Sequence, residues 1–256
     1  MTQGSTVQPR FAFLLFFEFV FLYFLFLVMR DDILYLFYPR VCAGCGSQLY
    51  ADAEDICPEC IAAFDAFGDA DASGYAILEL FRRNYPDDRV SGKAWTLYRF
   101  HKNDRLQRVI HAMKYEGVNS LGKVFGRLLG EMIAGSGGDA LFSCVVPVPL
   151  HPLKVFDRTY NQSETIARAV ASLLSKDFRN DLVVRKKYTR SQAGLSLQER
   201  LSNVRDAFEP SGRAIPKSIL LVDDVLTTGA TVSAVRNVLE SEGAEHISIA
   251  TIALAG

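Results

Sequence analysis

The 256-residue sequence predicts an α/β protein: a parallel sheet with helices on both faces, preceded by a small cysteine-bearing unit. Three observations carry that expectation. Short aliphatic runs alternate with stretches of helical periodicity, the pattern of strands joined by crossover helices. Ile219 to Val222 is a continuous apolar run, as expected of a strand buried on both faces. Cys42, Cys45, Cys57 and Cys60 form two C-x2-C knuckles across a short polar loop.

The chain is organised around ILLVDDVLTTGAT, Ile219 to Thr231. Asp223 and Asp224 follow the apolar run where the strand is expected to end. Thr227, Thr228, Gly229, Ala230 and Thr231 form a turn, and Val232, Val235, Val238 and Leu239 then take helical spacing. Ligands of open α/β sheets sit beyond the carboxyl ends of the strands. A helix N-terminus there offers free N–H groups and partial positive charge to a phosphate. Adjacent carboxylates suit sugar hydroxyls, met directly or through a metal. One phosphate and one ribose therefore fit this turn. The plainer alternative is a strand end whose aspartates and threonines cap a helix.

This run resembles the phosphoribosyl-pyrophosphate (PRPP) signature of type I phosphoribosyltransferases. The resemblance implies that Asp223 and Asp224 meet the ribose hydroxyls while Val225 and Thr227 to Thr231 wrap the 5′-phosphate. The Gly-Lys-Ser/Thr ending of a P-loop is missing.

Net charge is −1, which excludes a global field that gathers nucleic acid or anionic membrane. Residues 1–32 form an apolar leader. Phe11 to Met29 is rich in phenylalanine and broken only by Glu18, nearly long enough to span a bilayer core. Two readings stand: a transmembrane anchor, or an upstream start error with translation opening at Met29. The expected location is cytoplasmic, tethered by residues 11–29 under the first reading.

Residues 33–70 are read as a zinc ribbon. Ile33 to Tyr38 is an apolar lead-in, and each knuckle presents two thiolates to one tetrahedral ion. Four thiolates leave no open position, so Zn²⁺ there is structural. The alternative, disulfide pairing, needs an oxidising compartment. Cys144 sits in an apolar run as a small hydrophobe. Residues 71–92 are expected to be a linker, and 93–256 the α/β domain.

Within that domain Trp95 to Phe100 has strand character, and Asp104 to Tyr115 and Leu121 to Met132 have helical spacing. His101, His111 and His246 are read as structural, and Lys114 as a solvated lysine that could reach a phosphate. Ser143 to Leu150 is a buried strand. Lys154 and Arg158 in the turn after it can neutralise a pyrophosphate, Arg158 being the better fork donor. Asn161, as an N-cap, opens a helix running to Leu174. Leu182 to Val184 is a short strand. The cluster Arg185, Lys186, Lys187 and Arg190 follows, then a glycine-bearing loop from Ser191 that could close over substrate, and a short helix to Val204. Ala244 to Leu254 is the last strand.

The double knuckle, LQRVIHAMKYEG, VVPVPLHP, DRTYNQ, QAGLSLQERLSNV and LLVDDVLTTGAT occur in this order. Together they resemble the ComF family (competence protein F, GntX-like) over about Ile33 to Leu254. The resemblance implies a type I phosphoribosyltransferase-like sheet and a link to DNA uptake in natural transformation. LKVFD at Leu153 to Asp157 stands where the pattern is more basic, and the Phe-rich leader lies outside it. Two functions follow. In a Mg²⁺-dependent transferase, Asp223 and Asp224 hold the sugar of PRPP while Arg158 and the metal stabilise departing pyrophosphate. In a non-catalytic module, the loop holds a ribose phosphate or strand end, and the ribbon and basic loop engage single-stranded DNA or a competence helicase. Apart from Tyr188, no aromatic residue interleaves with that basic cluster.

Overall fold

A computed structural model describes residues 39–50, 53–87, 90–186 and 207–255. The expectations for the leader, for 33–38, for Lys187 and Arg190 and for the loop and helix from Ser191 to Val204 lie outside the described residues. No described helix is long and apolar enough to cross a membrane.

Five strands form one sheet: β1 (Ala94–Phe100), β2 (Cys144–Pro147), β3 (Asp177–Phe178), β6 (Ser218–Leu226) and β7 (His246–Ala255). Their order is β1-β7-β6-β2-β3, and every neighbouring pair is parallel. A separate antiparallel pair joins β4 (Val183–Arg185) to β5 (Phe208–Pro210).

β6 is buried on both faces, as its apolar run requires. Leu220 and Val222 belong to one core with Val145, Ala250 and Ile252. That side is covered by α3 (Arg105–Tyr115), α4 (Asn119–Gly135) and α6 (Gln162–Leu174), through Val109, Leu121, Phe125 and Ile166. Ile219 and Leu221 face a second core with Val146, Ile247 and Ile249, covered by α2 (Ala70–Asn84) and α7 (Ala230–Ser241). Two-sided coverage is the condition under which an all-parallel sheet is stable.

The expected linker 71–92 is for the most part α2. Asp69 caps it by accepting from the Ala72 N–H at 2.7 Å. Ile77, Leu80 and Phe81 bury its inner side against the sheet. Three buried apolar residues in its second half are what hold it. β6 also runs four residues past Val222, and the turn expected to hold Lys154 and Arg158 is a short helix, α5 (Pro152–Arg158).

The cysteine unit docks on α3 and α4. Leu49, Ile56, Cys57, Cys60 and Phe64 share a core with Leu106, Val109, Ile110 and Phe125. α1 (Pro58–Ala62) starts directly after Cys57, with proline in its first turn, where no N–H is needed. Arg127 grips Glu54 with two bonds of 2.8 and 2.9 Å, and Asp55 binds Arg40 (2.7 Å) and Ser120. His101 bonds Asp65 at 2.8 Å and His111 lies 3.3 Å from Glu116; both histidines hold local structure.

Candidate functional site

Asp223 and Asp224 stand in the last turns of β6, inside the ladder rather than beyond it. Asp223 is in register with Thr251 and Val225 with Ala253 on the β7 side. On the β2 side pairing stops at Pro147 opposite Val222, and the Val148 N–H then donates to the Val222 carbonyl at 2.8 Å. The β2 chain leaves the sheet there, so pairing on that side ends just before the two acids. Asn161 fixes the departing chain. Its side chain caps α6 by accepting from the Ser163 N–H (3.2 Å) and donates to the Val148 carbonyl (3.0 Å).

Asp223 Oδ1 accepts from the Ser163 hydroxyl and from the Asp224 N–H, both at 2.9 Å. Burial, and then the neighbouring charge of Asp224, push the Asp223 carboxyl up to about 7, against the pull of Ser163, the Asp224 N–H and Lys114. Asp224 accepts the Val225 N–H at 2.6 Å through Oδ1, and its Oδ2 lies 2.9 Å from Lys114 Nζ. Lys114 is therefore no solvated lysine. It is 20% exposed and ion-paired, because α3 ends over the end of β6.

The turn after β6 has the expected shape. Gly229 has φ 81° and ends the turn where α7 begins. A Cβ there would also meet Leu80, Phe81 and Tyr85 at 3.2–3.3 Å, so the conformation favours glycine and the packing leaves little room for more. Thr227 is exposed, and Thr228 and Thr231 are half-buried. The Thr228 carbonyl accepts from Asn84 of α2 at 3.1 Å, and the Thr228 hydroxyl accepts from the Ala230 N–H at 3.4 Å. The helix missed in the sequence thus holds the turn from Thr227 to Gly229 in place.

Cations gather beside the acids. Lys154 titrates low, at about 8, because of burial first and then of Arg185, Arg158 and Lys114, so the four positive groups share one region. Arg158 bonds Gln162 and the Tyr115 hydroxyl, both at 3.2 Å, and stands 5.1 Å over the Tyr115 ring. Arg185 is buried over Phe208, its pKa lowered by burial with Asp223 pulling the other way. Sequence reasoning placed Lys154 and Arg158 here. It did not connect Lys114, Ser163 or Arg185 to the acids, since each arrives from a different element. The signal for Lys114 was its place at a helix end just before Gly117.

The four cysteine sulfurs lie within 4.8 Å of one another. Cys45 and Cys57 Sγ are 3.8 Å apart. A tetrahedron with metal–sulfur bonds of about 2.3 Å has edges of about 3.8 Å, so the cluster can hold one metal ion. The Gly44 and Cys57 N–H groups donate to Cys42 Sγ at 3.4 and 3.3 Å, which stabilises a thiolate. A Cβ on Gly44 would lie 2.8 Å from Cys60 Sγ, so the first knuckle closes only over glycine.

Residues 161–256 match the phosphoribosyl transferase domain family. Competence protein F of Haemophilus influenzae is 29% identical over 155 residues, covering 58% of this chain and 68% of the relative. Competence protein ComFC of Streptococcus pneumoniae is 32% identical over 148 residues, covering 58% and 63%. DNA utilization protein YhgH of Escherichia coli K12 is 27% identical over 147 residues, covering 56% and 65%. The chain therefore spans about two thirds of the length of these curated relatives. Among solved structures, TT1426 from Thermus thermophilus is 19% identical, with a TM-score of 0.32 over 52% of this chain and 82% of that one. Over its α/β part the chain is thus similar to competence proteins F and ComFC and to YhgH, and residues 161–256 to the phosphoribosyl transferase domain family.

Proposed function

We propose that this site binds PRPP or a related phosphoribosyl ligand, in a protein that serves DNA uptake. The observation that carries this is the acid pair of β6, Asp224 buried and Asp223 half-buried, set between a glycine-bearing turn and a group of four cations. Asp223 and Asp224 would hold the ribose hydroxyls and Thr227 to Thr231 the 5′-phosphate. Lys154 and Arg158 would face the pyrophosphate. Mg²⁺ carried with the ligand would share the charge of the departing pyrophosphate. The cysteine cluster would hold Zn²⁺, which four soft thiolates at tetrahedral spacing select.

Calorimetric titration of PRPP with Mg²⁺, beside the Asp223→Ala/Asp224→Ala double variant, tests this. Saturable binding that the variant loses is expected; a folded, zinc-loaded protein that binds no PRPP overturns it.

The same site carries a pH dependence. Free Lys154 titrates near about 8 because of burial and neighbouring cations, and a bound phosphate would restore it toward its usual value. Binding above that pH must then take up a proton. PRPP affinity is expected to fall as pH rises beyond about 8, by at most about tenfold per pH unit. Lys154→Met should bind more weakly at neutral pH and lose that slope.

A second reading, a module for single-stranded DNA or a competence helicase, draws on one observation. Tyr115, 58% exposed, stands beside Arg158, and Phe156 on the same short helix as Arg158 is 86% exposed. Aromatic rings near cations can stack bases while phosphates are neutralised. Single-stranded DNA binding that weakens steeply with salt and with Tyr115→Ala would support it.

A further inference from the structure

Lys114 is a member of the cation group paired directly with an acid of the site. Its ammonium lies 2.9 Å from Asp224 Oδ2, while the Val225 N–H occupies Oδ1 at 2.6 Å. Both oxygens of the carboxylate that would receive a sugar hydroxyl are thus engaged by the protein itself. Yet the same ammonium lies close enough to Lys154 to lower that residue's affinity for a proton, so it sits on the border between the acids and the cations. Lysine is a point charge on a flexible four-carbon stem, suited to changing partners in a way a fixed guanidinium fork is not.

We propose that Lys114 exchanges partners when ligand binds. It closes Asp224 in the free protein, and it turns to the pyrophosphate of the ligand as a sugar hydroxyl takes Asp224 Oδ2. This rests on the phosphoribosyl reading above. The exchange keeps the acid pair compensated while the site is empty. It also favours a ligand that brings hydroxyls and pyrophosphate together, because a sugar phosphate alone must break the ion pair and leaves the ammonium without an anion.

The proposal separates ligands by sign. Pyrophosphate, ribose 5-phosphate and PRPP, each with Mg²⁺, are titrated into the full chain and its variants. Lys114→Met should bind pyrophosphate and PRPP more weakly by about tenfold, within the usual range of coupling between sites. It should bind ribose 5-phosphate as well as the native protein or better. Lys114→Arg should recover part of the lost affinity. Asp224→Asn, which frees the ammonium, should bind pyrophosphate several-fold more tightly, and this arm stands if the Met variant does not fold. Equal losses for all three ligands in Lys114→Met would mark a structural role and overturn the exchange, as would no gain of pyrophosphate binding in Asp224→Asn. In both cases native binding of PRPP leaves the phosphoribosyl reading in place. A native protein that binds none of the three overturns that reading, and the exchange falls with it.

Discussion

With the proposed Zn²⁺ in the four-cysteine cluster, chelating it or replacing Cys60 with serine is expected to lower the thermal midpoint of the whole domain by about 10 °C. Structural zinc contributes about 10–16 kcal/mol in small metal-folded units, comparable to the entire stability of a domain. The cysteine unit is short and carries few apolar side chains of its own. It keeps its shape because four thiolates converge, and Leu49, Ile56 and Phe64 are then presented to Leu106, Val109, Ile110 and Phe125. Without the metal those contacts open, and α3 and α4 expose the face they covered. A loss of about 3 kcal/mol in the remaining domain, at 2–4 °C per kcal/mol for this size, gives the stated shift. Trp95 is the only tryptophan and is buried in β1, where its indole N–H donates to Ser136 at 3.1 Å. Its fluorescence therefore reports the sheet rather than the cysteine unit. A midpoint that stays put on chelation would mean the unit is an independent appendage.

That prediction draws on something the sequence hid. The knuckles were legible because C-x2-C spacing is a local requirement of metal geometry. Where the ribbon packs was not, since Val109 and Phe125 read equally well as faces toward the sheet. The central strand and its turn were legible for the same local reason: four aliphatics, two acids and a Thr/Gly turn can be read without knowing their neighbours. The acids nevertheless proved to lie within the strand, because β7 extends alongside to Ala255 and keeps the ladder paired to Leu226. α2 escaped notice because its apolar residues crowd its second half and its alanines and acids resemble a linker. Lys114 was misread because a lysine near a helix end is usually solvated, and only the crossing of α3 over the end of β6 brings it to Asp224. Ser163 and Arg185 belong to the same class. Contacts made between elements leave no period or spacing in the chain.

Asp223→Asn is expected to strengthen the fold and weaken the site at once. Native Asp223 is pushed up to about 7 by burial and by Asp224. Its unfolded value is near 3.8. The folded chain therefore holds that proton more tightly than the unfolded chain does. The stability contributed by protonated Asp223 is fully present below about pH 4 and is lost as pH rises through about 7. A shift of that size corresponds to about 4 kcal/mol, which sets the ceiling for what neutralising the side chain can return above pH 7. Asparagine keeps the oxygen that accepts from Ser163 and from the Asp224 N–H. Its buried amide N–H groups gain no sure partner, which costs about 1–3 kcal/mol. The net gain should be about 1–3 kcal/mol above pH 7, and the fall of native stability between pH 4 and 7 should flatten in the variant. Urea unfolding across that range reads both. The same substitution removes a charge meant for ribose hydroxyls, so PRPP affinity should drop at least about tenfold, the cost of one charge-assisted hydrogen bond. If the variant is instead less stable at every pH, Asp223 is an ordinary structural carboxylate, and burial beside Asp224 does not cost the fold stability. Retained PRPP affinity would remove Asp223 from the sugar and leave Asp224, with Lys114 released, to hold it alone.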